Sequence, residues 1–285
     1  MIFFTFLFFW ISIQFGQIVE DSIAYGMVLS LGVIHGANDL VILRKQHQAN
    51  TQFLKSVAGY GMFILLCVLS FLIDPYISLI LFIVLSAYHF GEQHLEKKLF
   101  GPLWLKSCIY LLYGVIIFFL LFIENMNDVD QIVNDLSSKY FSLNMILALL
   151  IGSSILLILA FLYSYYKKYQ LKINWVKEVF YLGVLYLVFK TSSLMLGFAI
   201  YFIFWHSIPS IIDQTKYLSG TSSKYSLISY FKTAGIIWII SILSLVLAYF
   251  YEGKELFSSI IFLILFAVTA PHVWVMYRMK KSANE

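Results

Sequence analysis

Four histidines, His35, His89, His206 and His272, stand in stretches otherwise apolar enough to cross a bilayer. An ionisable side chain there is expensive and persists where it does chemistry or binds something. Neutral imidazole is the commonest metal ligand. Each histidine is soon followed by the first Lys or Arg of a basic stretch. His35 precedes Arg44 by nine residues, His89 precedes Lys97 by eight, His206 precedes Lys216 by ten and His272 precedes Arg278 by six. At ~1.5 Å per helical residue, these offsets set all four roughly 9–15 Å above one charged layer. A shared depth points to one buried site. A metal is its most economical occupant, because neutral imidazoles cannot all satisfy each other.

The neighbours add detail. His35 opens His35-Gly36-Ala37-Asn38-Asp39, with Asp39 at i+4 on the same helical face. Tyr88-His89-Phe90-Gly91-Glu92 sets Glu92 at i+3 from His89. Asp39 and Glu92 are the two carboxylates well inside apolar segments. They suit the role of accepting the second N–H of a metal-bound histidine, with a proton relay as the other reading. Gly36 and Gly91 allow close helix approach. Pro209 and Pro271, beside His206 and His272, each free a backbone carbonyl. Tyr88, Phe90, Tyr201, Phe204, Trp205 and Trp274 are candidates to line a tunnel for a long apolar substrate. Most of the other aromatic residues are expected to pack or to face lipid. His47 lies in a polar run and is expected to be solvated. His94, five residues after His89, points to another face at the membrane edge. Cys67 and Cys108 read as buried thiols rather than a disulfide or metal pair. Imidazoles without thiolate fit iron, copper or zinc, and an all-histidine site with open positions suits Fe(II) and O2.

The elements that must hold these residues follow from composition. The chain has 285 residues, 61% of them hydrophobic and 12% charged, with mean hydropathy +0.86. Soluble domains carry about 25% charged residues. This is therefore an integral membrane protein, expected to be one domain over residues 1–285. The apolar runs lack the two-residue alternation of a membrane barrel, so the fold class is all-α, a polytopic transmembrane bundle. The spans are predicted near 2–19, 22–43, 56–73, 76–95, 103–123, 141–165, 175–189, 192–210, 231–250 and 256–277. The first lacks a basic leader and a cleavage site, so it reads as a retained helix. Ten spans put 16 of the 19 basic residues on one side and nine of the fifteen acids on the other. The positive-inside rule then makes both termini cytoplasmic. The net charge of +4 needs no nucleic acid to explain it. The longest connections, Glu124–Lys139 and Asp213–Lys232, are places for an interfacial helix or a gate.

Several classes drop out. There is no His-Glu-x-x-His, no set of paired-histidine boxes, no Gly-x-Ser-x-Gly and no P-loop. Two rivals to a metal-dependent enzyme stay open on the residues alone. One is a haem-binding membrane electron carrier; the other is a proton or metal transporter.

In order along the chain, the motifs His35-Gly36-Ala37-Asn38-Asp39, Tyr88-His89-Phe90-Gly91-Glu92, Trp205-His206-Ser207 and Pro271-His272 resemble the Brp/Blh family. These are bacterial and archaeal membrane β-carotene 15,15′-dioxygenases. The resemblance covers essentially the whole chain. It implies cleavage of β-carotene by O2 into two all-trans-retinal molecules, which would pass to a rhodopsin. It also implies a prokaryotic inner membrane. Finally, it implies a non-haem Fe(II) held by His35, His89, His206 and His272. Some members carry a further histidine one turn after the Trp-His pair, where this chain has Ser210.

Overall fold

The computed structural model describes residues 1–284, with the side chains of residues 1–11, 13–244, 247 and 263–282. The helices are α1 (Ile2–Gln14), α2 (Gln17–Gln46), α3 (Asn50–Ile73), α4 (Pro75–Lys98) and α5 (Leu103–Glu124). They continue with α6 (Met126–Ser137), α7 (Leu143–Tyr166), α8 (Trp175–Thr191), α9 (Leu194–Ser219) and α10 (Lys224–Asn284). The described residues form no strand. The protein is an all-α membrane helix bundle. Seven helical segments among the described residues are long and apolar enough to cross a membrane: α2, α3, α4, α5, α7, α9 and Lys224–Ser244 of α10. α1 has 13 residues and α8 has 17. At ~1.5 Å per residue, both fall short of a hydrocarbon layer of about 30 Å.

Three boundaries differ from the sequence reading. The first two helices part at Phe15, whose backbone is extended, and not at the acidic pair Glu20-Asp21. That pair lies in the opening turns of α2 and serves another helix. Glu20 Oε2 accepts the Ser193 backbone N–H at 2.7 Å, and Asp21 Oδ1 accepts the Ser193 hydroxyl at 2.8 Å. The carboxylates thus satisfy donors at the start of α9, where the helix dipole favours negative charge. Asp213–Lys232 is not a long connection, because α9 runs on to Ser219. Gly220, with φ of +76°, ends it in the left-handed conformation that glycine adopts without strain. The third difference is in α10, which is helical from end to end. Tyr230 and His272 both reach residue 35, although a straight helix would hold them about 63 Å apart. The element therefore folds back on itself between them. The side chains of Glu252, Lys254 and Glu255, where an outer loop was expected, lie outside the described residues.

The chain divides into two compact units, with boundaries inside α2, α4 and α9. The first comprises residues 1–26 and 83–206 and is organised by α5. Ile109, Tyr113, Ile117 and Leu121 of that helix are all buried. α4 meets α5 backbone to backbone. A Cβ on Gly91 would lie 1.9 Å from the Tyr110 carbonyl oxygen, and one on Gly114 would lie 1.9 Å from that of Ala87. α7 carries an exposed apolar face. Ile151, Ile155, Ile158 and Leu162 of α7 are each more than half exposed, as suits a surface solvated by lipid. The second unit comprises residues 27–82 and 207–285. Its core joins α2 to α10 through Ile42, Leu43, Val275, Met276 and Met279.

Because the two glycines sit on facing backbones, Gly91→Ala or Gly114→Ala must push α4 and α5 apart. Each substitution is expected to destabilise the fold by ~1–3 kcal/mol, as an overpacked core does, and so to lower the thermal midpoint in detergent. A midpoint equal to wild type would show that the contact does not constrain these helices.

Candidate metal centre

α2 is irregular where it carries chemistry. A π-helical turn spans Val28–Gly32, and the helix breaks at Asn38 before resuming at Asp39. π turns are rare and concentrate at functional sites. His35 lies between the two irregularities and is 7% exposed. Its Nδ1 lies 2.6 Å from the Gly32 carbonyl oxygen. A carbonyl can only accept, so Nδ1 carries the proton and Nε2 of the neutral ring carries the lone pair. His272 is oriented in the same way by a different acceptor. Its Nδ1 donates to Asp39 Oδ1 at 2.8 Å, and Tyr60 Oη donates to Asp39 Oδ2 at 3.2 Å. The His35 and His272 rings meet edge to face, with centroids 4.6 Å apart. Asp39 therefore bonds His272, not the histidine four residues before it. The break at Asn38 interrupts the regular i, i+4 alignment.

A buried polar network lies behind His35. Gln214 Nε2 donates to the His35 carbonyl at 2.9 Å and to Ser210 Oγ at 3.0 Å. Tyr230 Oη donates to Gln214 Oε1 at 2.8 Å, and Asn38 Nδ2 donates to the Tyr230 carbonyl at 3.1 Å. Ser210 thus serves as a hydrogen-bond acceptor for Gln214. None of Asn38, Ser210, Gln214 or Tyr230 is more than 3% exposed.

The other two histidines pair within the first unit. His89 comes from α4 and His206 from a π segment of α9, Tyr201–Ser207. Pro209 follows this segment and lacks the N–H that would bond the Trp205 carbonyl, which makes the irregularity legible afterwards. The two rings lie 4.6 Å apart, edge to face, and each histidine is 1% exposed. Phe90 covers His206 at 4.5 Å and also touches Phe118, Tyr201 and Phe202. Glu92 Oε2 stands 3.8 Å from His89 Nδ1, beyond hydrogen-bond reach.

The remaining aromatic candidates pack on other rings and side chains of their own unit. Phe204 stacks on Phe4 of α1 at 5.4 Å, and Trp205 donates from Nε1 to Thr5 Oγ1 at 3.1 Å. Tyr88 meets Tyr110, and Trp274 meets Phe63. Phe90 is a tunnel candidate in ring contact with a histidine of this unit, and Tyr201 packs on it.

A family model described as beta-carotene 15,15'-dioxygenase matches residues 26–280. The chain belongs to that family. No curated protein and no solved structure matches it. The matched stretch contains His35, Asp39, His89, Glu92, His206 and His272. α1, which packs on Phe204 and Trp205, lies before it.

This dioxygenase-family chain also holds an ion cluster that the sequence reading left unassigned at His94. His94 Nε2 donates to Glu178 Oε2 at 2.7 Å, and Lys98 Nζ donates to Glu178 Oε1 at 2.6 Å. Tyr113 Oη adds a longer bond to Glu178 Oε2 at 3.4 Å, and its ring stacks on His94. Glu178 comes from the first turn of α8, 84 residues from His94 in sequence, so no local spacing announces the pair. The cluster joins α4, α5 and α8 on the side of α4 away from His89. Glu178→Ala leaves Lys98 and His94 without their carboxylate. It is expected to destabilise the fold by about 3–5 kcal/mol, as for one partner removed from a buried pair. Thermal melting should show the loss, with Glu178→Asp between the two. Identical melting of Glu178→Ala and wild type would remove the cluster from the forces holding α4.

Proposed function

We propose that the protein cleaves the central 15,15′ double bond of β-carotene with O2 to give two molecules of all-trans-retinal, at one Fe(II) held by His35, His89, His206 and His272. The family match over residues 26–280 carries the reading. The donor set supports it. All four imidazoles are at most 7% exposed, and their chemistry fits a borderline metal. In His35 and His272 the Nδ1 bonds leave Nε2 as the nitrogen with a lone pair, the usual arrangement when the second nitrogen of a ligand is held by a carbonyl or carboxylate.

Bound iron supplies a centre at which O2 becomes reactive toward an alkene. The protein supplies orientation. The overall reaction, an alkene plus O2 giving two aldehydes, needs no proton and no outside electron. Asp39 therefore has no proton to relay; it holds the His272 ring, as the Gly32 carbonyl holds the His35 ring. The same balance leaves Glu92 no proton to relay; at 3.8 Å from His89 Nδ1 it sets a carboxylate beside that ring without the hydrogen bond that Asp39 makes to His272. Phe90 and Tyr201 offer flat apolar surface close to His206, suited to a polyene. Positional binding of this kind selects which double bond reacts. Tyr88, Phe204, Trp205 and Trp274 extend the proposed tunnel. The setting is a prokaryotic inner membrane with the basic loops cytoplasmic, and the retinal passes to a rhodopsin. A substrate that never enters water suits a site built in lipid.

Expression in β-carotene-producing cells tests the activity directly. The orange colour should fade as retinal accumulates, and His206→Ala should abolish both changes. Colour that persists in cells making ample folded protein would sink the reading, as would full retinal production by His206→Ala. Metal analysis of the purified chain should find iron at one per chain. Asp39→Asn is expected to weaken iron binding about 10–100-fold, the usual effect of losing a partner behind a ligand. Equal affinity in a chelator competition would show that Asp39 does not orient His272 for metal.

A further inference from the structure

In the second unit, Arg44 and Arg278 have no carboxylate among their contacts with the described residues. From Leu40 to Ile73 and from Leu256 to Asn284 the sequence holds six Lys and Arg residues and not one Asp or Glu. Arg278 is half-buried. Its Nη1 donates to Ser56 Oγ at 3.0 Å and its Nη2 to His47 Nε2 at 3.0 Å. A guanidinium only donates, so His47 accepts through Nε2 and is a neutral ring here. Both partners of Arg278 are thus uncharged. Its flat face lies over Trp274, 5.1 Å from the ring centroid. Arg44 lies over Phe53 at 5.3 Å. Phe53 and Trp274 pack on the same core cluster of Ile42, Leu43, Val275, Met276 and Met279, so the two guanidinium groups flank one patch. Lys45 is engaged elsewhere, on the carbonyls of Tyr217 and Leu218.

We propose that Arg278, with Arg44 alongside, binds the phosphodiester of an anionic phospholipid. A guanidinium has five donors in a fork that matches phosphate oxygens. Basic residues at the end of membrane helices meet headgroups at this level, and Trp marks the same level. Exposed apolar surface adjoins the patch, with Leu54 63% exposed and Val41 38% exposed, as acyl chains require. A soluble phosphate ester would have no use for that surface, which is why the occupant is a lipid. Arg278 is six residues from His272 on α10, so an occupied site would tie the end of that helix to the bilayer. The proposal does not depend on the activity proposed above.

The test is native mass spectrometry of the full chain released from nanodiscs of phosphatidylcholine alone or of an equal mixture with phosphatidylglycerol. Wild type should retain phosphatidylglycerol in preference to phosphatidylcholine, and raised salt should weaken the preference. Arg278→Gln should reduce retention roughly tenfold, a loss of about 1.4 kcal/mol. Retention equal to wild type in Arg278→Gln would overturn the proposal. If that variant does not fold, wild type alone decides, since no preference for phosphatidylglycerol overturns it too. Displacement of the lipid by glycerol phosphate or inorganic phosphate would also overturn it, by making the site one for a soluble anion.

Discussion

Hydrocarbon offers no hydrogen bonds, and the placement of every polar group in this bundle follows from that. A soluble protein can leave a carbonyl or an imidazole to water. Here the polar groups around His35 and His272 meet other parts of the chain. The Gly32 carbonyl takes the His35 proton, Asp39 takes that of His272, and Gln214 gives its amide to the His35 carbonyl. These groups hold the imidazoles in fixed orientations. The same bonds that make burial tolerable also aim the ring nitrogens, so stability and site geometry have one origin.

Backbone irregularity does part of this work. His35 sits between a π turn and a helix break, and His206 sits inside a π segment. A regular helix would rotate its side chains by a constant step and satisfy its own carbonyls. The irregular turns release backbone groups and redirect side chains, which the surrounding packing must then hold. In the first unit that packing is tight. Gly91 and Gly114 bring α4 against α5 at backbone distance, one residue past Phe90. Glu178 holds the far side of α4 through His94 and Lys98. His89 is thus borne by a helix fixed on two other sides.

Charge is distributed by function as well as by topology. Glu20 and Asp21 cap a helix start, Asp39 serves a histidine, and Glu178 closes a cation pair. These carboxylates are consumed inside the fold. Arg278, by contrast, faces acceptors that carry no charge.

The membrane character, the all-α class and the four histidines were legible in the sequence, because hydropathy, apolar run length and residue type are local properties. Gly91 as a point of close approach was also legible, since a missing side chain between apolar neighbours has few other uses. The separation of α8 from α9 near Ser192 was visible in the loop charges. The break at Phe15 was not, because an apolar run that continues on both sides gives no signal where the backbone extends. The partner of Asp39 was out of reach for a different reason. Spacing encodes neighbours three or four residues away, and His272 is 233 residues from Asp39. Gln214 behind His35 and Glu178 beside His94 are contacts of the same non-local kind, 179 and 84 residues apart. Residue types therefore determined what chemistry the protein holds, and only the packing of distant helices decided which group orients which.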